Sequence, residues 1–346
     1  MPRTIIHGIE KAWDGLKHDL GARLSRDTPL IAPYRGFGTA SELWFRGRVL
    51  EDEGVMSALH SDSLLVNLRH TWNRYETDEL PDARVSWRLG EDHGEVVTDE
   101  EGYFDATFRP SQLTDAPWQE LHLMLEEVPG YDVEPLGATL PIRTPGPDAR
   151  FGVISDIDDT IVYTGAHDFL KHWRTVVANS AQSREVYDGL ADLYQTLVDG
   201  ERNPIFYVSS SPWNLFDLFE RYMALNDIPL GPMMLRDFGL DDNKWLTGGH
   251  HDHKGSAIDR VLGTYPHLPF VLVGDSGQQD PLVYAAAAER HEGRILAVLI
   301  HEVTPNEHEA TVAEMRDRLG DQVPHMVTTS YIEAHGWLRE LGYATG

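Results

Sequence analysis

The sequence predicts an N-terminal β-sandwich-like domain followed by an α/β domain built on a parallel sheet. The chain has 346 residues, enough for two hydrophobic cores, because domains commonly contain about 100 to 200 residues. Between residues 43 and 142, apolar and polar residues alternate, as in half-buried antiparallel strands. Beyond residue 150, short apolar runs alternate with helical stretches, which is typical of a parallel sheet covered on both faces.

The N-terminal domain is assigned to residues 1–145. Its strand pattern is clearest at residues 85–89 and 121–125, where every second residue is apolar. A helix is predicted near the N-terminus, because apolar residues recur there at helical spacing, and a second helix is predicted over about 63–75. The turn at 99–102 predicts a hairpin between the strands on either side of it.

The C-terminal domain is assigned to residues 150–346. The segment 143–148, Arg-Thr-Pro-Gly-Pro-Asp, is rich in turn-forming residues and predicts the boundary between the domains. Four strands of the parallel sheet are predicted from continuous apolar runs. They are residues 151–155, 204–208, 270–274 and 295–300.

Composition and charge disfavour some classes of partner and site. Acidic residues number 56 against 29 lysines and arginines, for a formal net charge of −27, so binding to nucleic acid is not expected. The chain has no cysteine, which excludes disulfides and thiolate metal sites. We find neither a signal peptide nor an apolar stretch long enough to cross a bilayer, so a cytoplasmic protein is expected.

The first candidate catalytic segment directly follows the first predicted strand and reads Asp156-Ile157-Asp158-Asp159-Thr160. A carboxylate such as Asp156 can attack phosphorus and form an aspartyl-phosphate. A second carboxylate two residues on, Asp158, can act as general acid and then as general base. Three acids this close repel one another unless a cation lies among them, which points to Mg²⁺. Taken alone, the segment also fits an acidic turn or a helix N-cap.

Two further segments carry candidate phosphoryl-binding groups. Ser209 and Ser210 follow the second predicted strand, where hydroxyl and backbone N–H groups at a helix N-terminus can bind a phosphoryl oxygen. Lys254 precedes a helix predicted over residues 257–262 and could be a fixed cation that holds the nucleophile and the phosphoryl group together. An ordinary helix cap and a solvated lysine are the alternatives for these two segments.

The fourth segment supplies candidate metal ligands after the third predicted strand. Asp275 could ligate a metal directly, and Asp280 could act through water or through a neighbouring ligand. A turn with a capping aspartate is the alternative. Because ligands of doubly wound sheets bind at the carboxyl ends of the strands, all four segments are expected to lie at one edge of the sheet.

Together the four segments resemble the four sequential motifs of the haloacid-dehalogenase (HAD) superfamily. The resemblance implies a HAD-like parallel sheet, with Asp156 as nucleophile and Asp158 as general acid and base. It also implies that Ser209 and Lys254 bind the phosphoryl group, and Thr160 and Ser210 are predicted as further substrate-binding residues. The implied ligands of Mg²⁺ are Asp156, Asp275 and the backbone carbonyl of Asp158, with Asp280 beside them.

A closer resemblance, to the phosphatidate phosphatases of the actin-patch type and their bacterial relatives, covers residues 150–305. It rests on the segments 155–161, 207–213, 235–239, 253–254 and 274–277. The domain also resembles the lipin-type phosphatases. The resemblance implies hydrolysis of phosphatidate to diacylglycerol and a phospholipid substrate at a membrane surface.

The spacing of the motifs predicts a capless, open site. About 44 residues separate Thr160 from the second predicted strand, and about 45 separate Ser209 from Lys254. Both stretches are too short for an inserted cap domain of about 100 residues. An open site suits a phosphate presented on something large, such as a lipid in a bilayer.

Arg236, the histidine-rich segment 250–253 and the activity itself each allow more than one interpretation. Arg236 could bind a second substrate anion or form an ion pair with Asp237 or Asp241. The histidine-rich segment 250–253 could bind a transition metal, although a polar loop beside the active site is expected. The alternatives for the activity are a phosphatase of another large or soluble phosphomonoester and a non-catalytic phospholipid-binding module.

Overall fold

The computed structural model describes residues 28–52, 79–133, 135–162, 187–236, 252–303 and 307–344. The two helices predicted near the N-terminus and over 63–75 lie outside the described residues. The chain divides into two compact units, and the division of the sequence near residues 145–150 stays a prediction. Unit one contains the described parts of Met1–Tyr34, Trp44–Gln112 and Glu120–Pro141, and unit two those of Arg35–Leu43, Leu113–Gln119 and Ile142–Gly346.

The N-terminal part of the described chain is rich in strands, as predicted. Strand β4 (Arg84–Leu89) pairs antiparallel with β5 (Asp92–Val97) and with β7 (Trp118–Glu127). Strand β1 (Thr28–Pro33) pairs antiparallel with β3 (Glu42–Asp52). In β7, Leu121, Leu123 and Leu125 are buried between exposed neighbours, which confirms the alternating pattern. The strands are β1 (Thr28–Pro33), β2 (Gly36–Thr39), β3 (Glu42–Asp52), β4 (Arg84–Leu89), β5 (Asp92–Val97), β6 (Tyr103–Phe108), β7 (Trp118–Glu127) and β8 (Leu136–Arg143).

The hairpin predicted around residues 99–102 is wrong. The turn itself is present, because Asp99 Oδ1 accepts the N–H groups of Glu101 and Tyr103 at 3.0 and 2.9 Å. However, β5 pairs with β4, to which the short turn at Gly90 joins it, and β6 pairs with β3. The N–H of Val49 in β3 donates to the carbonyl of Gly102 at 2.8 Å, so the chain leaves the turn toward a different partner strand.

The C-terminal part is an α/β structure, as predicted. Its strands are β9 (Gly152–Ser155), β10 (Ile205–Pro212), β11 (Met233–Arg236), β12 (Phe270–Asp275), β13 (Ile295–His301) and β14 (His325–Thr328). Its described helices are α1 (Leu190–Val198), α2 (Phe216–Leu225), α3 (Asp252–Thr264), α4 (Asp280–Arg290), α5 (Glu309–Leu319) and α6 (Tyr331–Glu340). The four predicted strands correspond to β9, β10, β12 and β13, and the helix predicted over 257–262 is the central part of α3.

The strands of the C-terminal part form one sheet, in the order β11-β10-β9-β12-β13-β14. Every pair of neighbouring strands in it is parallel. Every residue of β9 and β12 is buried, which explains their continuous apolar sequences. Strand β9 lies between β10 and β12, so the chain continues on one side of β9 and later crosses to the other. Such a change of direction opens a crevice at the carboxyl ends of the adjacent strands.

Helices α1 and α2 bury apolar faces that their sequences predict. In α1 the buried residues recur at helical spacing, which directs one face of the helix into the core. They are Leu190, Leu193, Tyr194, Leu197 and Val198. Removing each such leucine side chain from water contributes roughly 2 kcal/mol to the stability of the fold. The burial of this face therefore stabilises the packing of α1 in the C-terminal part.

Candidate active site

The acidic segment after β9 is held rigidly at the carboxyl edge of the sheet. The N–H of Asp156 donates to the carbonyl of Val273 at 2.9 Å and so continues the pairing of β9 with β12. The chain then closes a compact loop, because the N–H of Ile161 donates to the carbonyl of Ile157 at 2.8 Å. Asp159 has a φ of 56°, a left-handed conformation that aspartate tolerates better than most residues. These hydrogen bonds constrain the backbone around Asp156 and Asp158.

Lys254 lies between two buried carboxylates. Its Nζ is 2.8 Å from Asp156 Oδ1 and 2.5 Å from Asp280 Oδ1, and it also donates to Gln278 Oε1 at 3.2 Å. The lysine side chain is 7% exposed, and those of both aspartates are fully buried. A single ammonium thus faces more than one carboxylate in a medium of low polarity, which leaves local negative charge uncompensated.

Asp275, the last residue of β12, adds a third carboxylate to this group. Its Oδ1 accepts the N–H groups of Gly277 and Gln278 at 2.6 and 3.1 Å, and its own N–H donates to Asp280 Oδ2 at 3.3 Å. One carboxylate oxygen from each of Asp156, Asp275 and Asp280 lies within 4.8 Å of the others. In the described part of the chain, no group donates to Asp156 Oδ2 or Asp275 Oδ2. These buried oxygens fit the ligand set of a hard divalent cation.

The electrostatics of the cluster also favour a bound cation. Burial raises the pKa of Asp156 well above its usual value, although Lys254 acts in the opposite direction. Burial and the neighbouring Asp280 raise the pKa of Asp275 to about 8. Burial opposes the charge of Lys254, but the surrounding carboxylates outweigh it and raise the pKa of the ammonium. A divalent cation would supply the positive charge that these carboxylates lack.

Asp158 forms hydrogen bonds with two serines of β10. Its Oδ2 accepts hydrogen bonds from Ser209 Oγ at 2.5 Å and from Ser211 Oγ at 2.8 Å. Residues two apart along a strand point to the same side, which explains why both hydroxyls reach one carboxylate. Burial raises the pKa of Asp158, while the two serine hydroxyls act in the opposite direction. A raised pKa suits a group that must hold a proton and release it to a leaving group.

The serines lie in the strand rather than at a helix N-terminus. Strand β10 extends to Pro212, and the 3₁₀ turn that precedes α2 begins at Trp213 without a side-chain cap. Ser210 is exposed, whereas Ser209 is fully buried. The expectation that these serines lie at a helix N-terminus is therefore wrong, and so is the alternative that they cap a helix. Their predicted role in binding a phosphoryl group stays a prediction.

The remaining residues predicted for the site are Thr160, Arg236 and those of the histidine-rich segment 250–253. Thr160 is buried, and no described group forms a hydrogen bond with its Oγ1. Arg236 is half-buried at the end of β11, in register with Pro212 of β10. Asp237, Asp241, His250 and His251 lie outside the described residues, and His253 belongs to α3 rather than to a loop.

Gly274 permits the close packing beneath the fourth motif. A Cβ at this position would lie 2.5 Å from Asp280 Oδ2 and 2.8 Å from the ring of Tyr284. Tyr284 cannot move away easily, because its hydroxyl donates to the carbonyl of Val273 at 2.8 Å. The glycine of the Gly274-Asp275 pair is thus required for Asp280 to reach Lys254.

Two residues of the site were not assigned a role from the sequence. Ser211 binds Asp158, and the alternation of Ser209 and Ser211 along a strand was the signal that could have identified it. Gln278 binds Lys254, but only the fold brings these residues together, since they are 24 positions apart on different elements.

Residues 151–302 match the family model described as "Phosphatidate phosphatase APP1, catalytic domain". The resemblance of this segment to the actin-patch phosphatidate phosphatases is confirmed. The match contains β9, β10 and β12 and every residue of the cluster described above.

Two curated relatives match over similar lengths. The chain is 35% identical over 168 residues to "Phosphatidate phosphatase APP1" of Saccharomyces cerevisiae. This alignment covers 48% of this chain and 28% of the yeast protein. The chain is 26% identical over 153 residues to the uncharacterized protein C29B5.04c of Schizosaccharomyces pombe, which covers 44% of this chain and 25% of that protein. The aligned region thus spans about a quarter of the length of each of these relatives.

Two solved structures share weak similarity with the chain. A Thermotoga maritima structure described as a beta-phosphoglucomutase has a TM-score of 0.31 and 14% identity, covering 55% of this chain and 99% of that one. The carbohydrate acetylesterase XAC1771 of Xanthomonas citri has a TM-score of 0.33 and 10% identity, covering 87% of this chain and 69% of that one. Similarity at this level supports no conclusion about function.

Proposed function

We propose that the protein is a Mg²⁺-dependent phosphomonoester hydrolase with a HAD-like catalytic domain, and that phosphatidate is its substrate. The observation that carries this proposal is the buried group of Asp156, Asp275 and Asp280 around the ammonium of Lys254 at the strand ends. The family match of residues 151–302 and the identity to the yeast phosphatase support the choice of substrate.

The residues present fit a magnesium site. Asp156 and Asp275 each offer a buried carboxylate oxygen that receives no hydrogen bond from the described residues. Asp280 already accepts hydrogen bonds from Lys254 and from the N–H of Asp275. Its role would therefore be to orient the other ligands of the metal. When bound, Mg²⁺ would neutralise the carboxylates and the oxygens of the substrate phosphate.

In the first half-reaction, a carboxylate oxygen of Asp156 attacks phosphorus and the bond from phosphorus to the ester oxygen breaks. Asp158 transfers its proton to that oxygen, which leaves as diacylglycerol. Lys254 pairs with the attacking carboxylate in the resting site and would balance charge on the transferred phosphoryl group. The product of this step is an aspartyl-phosphate at Asp156.

In the second half-reaction, Asp158, now a carboxylate, removes a proton from water. The water oxygen attacks phosphorus, and the bond from phosphorus to the Asp156 oxygen breaks to give inorganic phosphate and the free carboxylate. Asp158 is protonated again, which restores the starting state. Ser209 and Ser211 hold Asp158 in one orientation throughout both steps.

To reach a lipid substrate, the catalytic site must contact the surface of a membrane. None of the described helices combines sufficient length with sufficient apolarity to pass through a bilayer. We propose that the protein is cytoplasmic, that it acts peripherally on phospholipid at a membrane surface, and that its catalytic domain is capless. An uncovered site would admit a phosphate that is anchored in a bilayer.

A panel of substrates with and without Mg²⁺ tests this proposal. Phosphatidate in mixed micelles is expected to be hydrolysed at a kcat/KM at least about tenfold above that of soluble phosphomonoesters. Chelation of divalent cations is expected to abolish turnover of all of them, and added Mg²⁺ should restore it. Equal turnover of soluble esters would reject the lipid substrate, and binding of phosphatidate without turnover would indicate a lipid-binding module.

An Asp158→Asn variant tests the role of the general acid. Turnover of phosphatidate, which has a poor alkoxide leaving group, is expected to fall by about 10²–10⁴-fold. With an aryl phosphate, whose leaving group needs no proton, phosphorylation of Asp156 should continue while hydrolysis of the aspartyl-phosphate slows. The variant should therefore release a single equivalent of phenol in a burst. An equal loss of burst rate for aryl and alkyl esters would contradict this role.

A further inference from the structure

Three consecutive backbone carbonyls in the loop that follows Asp158 each accept a hydrogen bond from a tyrosine. Tyr187 Oη donates to the carbonyl of Asp159 at 3.2 Å. Tyr331 Oη donates to the carbonyl of Thr160 at 2.6 Å, and Tyr222 Oη donates to that of Ile161 at 3.3 Å. None of these tyrosines belongs to the motifs from which the active site was predicted.

The tyrosine hydroxyls donate to carbonyls other than those used by the backbone hydrogen bonds between described residues of the loop. The hydrogen bonds inside the loop use the carbonyls of Ile157 and Val162 as acceptors. Asp159, Thr160 and Ile161 are all buried, so water has little access to their backbones. Because a buried carbonyl is stabilised by a hydrogen-bond donor, the three hydroxyls stabilise the loop in this conformation.

The tyrosines come from separate parts of the fold and have little freedom to move. Tyr187 precedes α1, Tyr222 lies in α2, and Tyr331 is the first residue of α6. The rings of Tyr187 and Tyr331 both pack on His301, with centroids 4.4 and 4.6 Å apart. Burial raises the pKa of Tyr222 to about 12, so its hydroxyl remains a donor at neutral pH. The loop is thus held from three directions.

We propose that Tyr187, Tyr222 and Tyr331 form a tyrosine clamp that fixes the catalytic loop in the geometry needed for metal binding and phosphoryl transfer. The proposal rests on the proposed function, since the loop connects directly to Asp156 and Asp158. The tyrosines act through the loop backbone and do not contact the reacting atoms, so they are positioning residues. A shift of about 1 Å in such a loop can reduce catalysis about 10²-fold.

The test compares Tyr331→Phe with the matched control Tyr207→Phe. Tyr207 is also fully buried, and its hydroxyl donates to a backbone carbonyl, that of Pro229 before β11, at 2.5 Å. Both variants lose one buried hydroxyl and keep the aromatic ring. Three quantities are measured on the full chain: the melting temperature, the Kd of Mn²⁺ by electron paramagnetic resonance, and kcat and KM for phosphatidate. Tyr222→Phe is the second clamp variant should Tyr331→Phe fail to fold.

The two variants are expected to lose similar amounts of thermal stability. Tyr331→Phe should weaken Mn²⁺ binding and lower kcat, each by about tenfold, with little change in KM. Tyr207→Phe should leave the Mn²⁺ Kd and kcat within about twofold of the parent protein. Equal Mn²⁺ affinity and equal kcat in both variants would overturn the clamp. If the parent protein hydrolyses no phosphomonoester while Tyr331→Phe still weakens Mn²⁺ binding, the proposed function fails and the clamp stands.

Discussion

An Asp156→Asn variant is expected to lose phosphatase turnover by about 10⁴-fold or more, because removal of a covalent nucleophile eliminates the reaction pathway rather than weakening it. The amide has the same shape as the carboxylate, but it does not attack phosphorus and it is a poor ligand for Mg²⁺. The measurement is the kcat for phosphatidate at saturating Mg²⁺. Turnover within about tenfold of the parent protein would contradict the assignment of the nucleophile.

The same variant should remain folded. Burial raises the pKa of Asp156, which means that its charged form is disfavoured in the folded protein, so a neutral side chain is not expected to reduce stability. Lys254 keeps its pairing with Asp280 at 2.5 Å. The melting temperature of the metal-free variant should therefore equal or exceed that of the parent. Asp192→Asn, the same change at an exposed position in α1, is the control for activity.

A Lys254→Met variant is expected to lose both activity and stability. The ammonium lies within ion-pair distance of Asp156 and Asp280, and its removal leaves buried carboxylates without compensation. Breaking a buried ion pair in this way typically costs about 3–5 kcal/mol. The free energy of unfolding, measured by denaturant titration without divalent cations, should fall by that amount at neutral pH.

Two controls separate this electrostatic cause from a loss of packing. Adding Asp280→Asn to Lys254→Met removes one of the uncompensated charges, so the double variant should be more stable than Lys254→Met alone. The loss should also be smaller at about pH 5 than at about pH 8. Lys254 lowers the pKa values of Asp156 and Asp275 in the folded parent, so its removal raises these pKa values further and the folded variant binds more protons. The stability of the variant should therefore fall more steeply than that of the parent as pH rises. A loss that is independent of pH and of Asp280 would indicate packing instead.

The sequence predicts much of the parallel sheet, because burial on both faces leaves a direct signal. The run 270–274 is apolar throughout and corresponds to a fully buried strand, β12. The turn near residue 100 was also recognised, but its strand partners were not. Local turn chemistry at Asp99 determines only where the chain bends, whereas the pairing of β6 with β3 depends on contacts about 50 residues away.

The candidate site was predictable to the extent that its residues follow strand ends. Asp156 directly follows β9, and Asp275 ends the neighbouring parallel strand β12, so the sheet alone brings them close together. The hydrogen bond from Ser209 to Asp158 could not be predicted, since it depends on the path of β10 beyond residue 208. The bond from Tyr331 to Thr160 joins residues 171 positions apart, and no local pattern in either segment indicates it.

The most direct test of the central claim is to trap the covalent intermediate. The protein is mixed with phosphatidate and Mg²⁺, quenched in acid within milliseconds, reduced with borohydride, and digested for peptide mass spectrometry. Reduction of an acyl phosphate converts the aspartate to homoserine, so we predict homoserine at position 156 in the parent protein and none in Asp156→Asn. Rapid turnover with no modified aspartate, or with homoserine at another position, would contradict the mechanism.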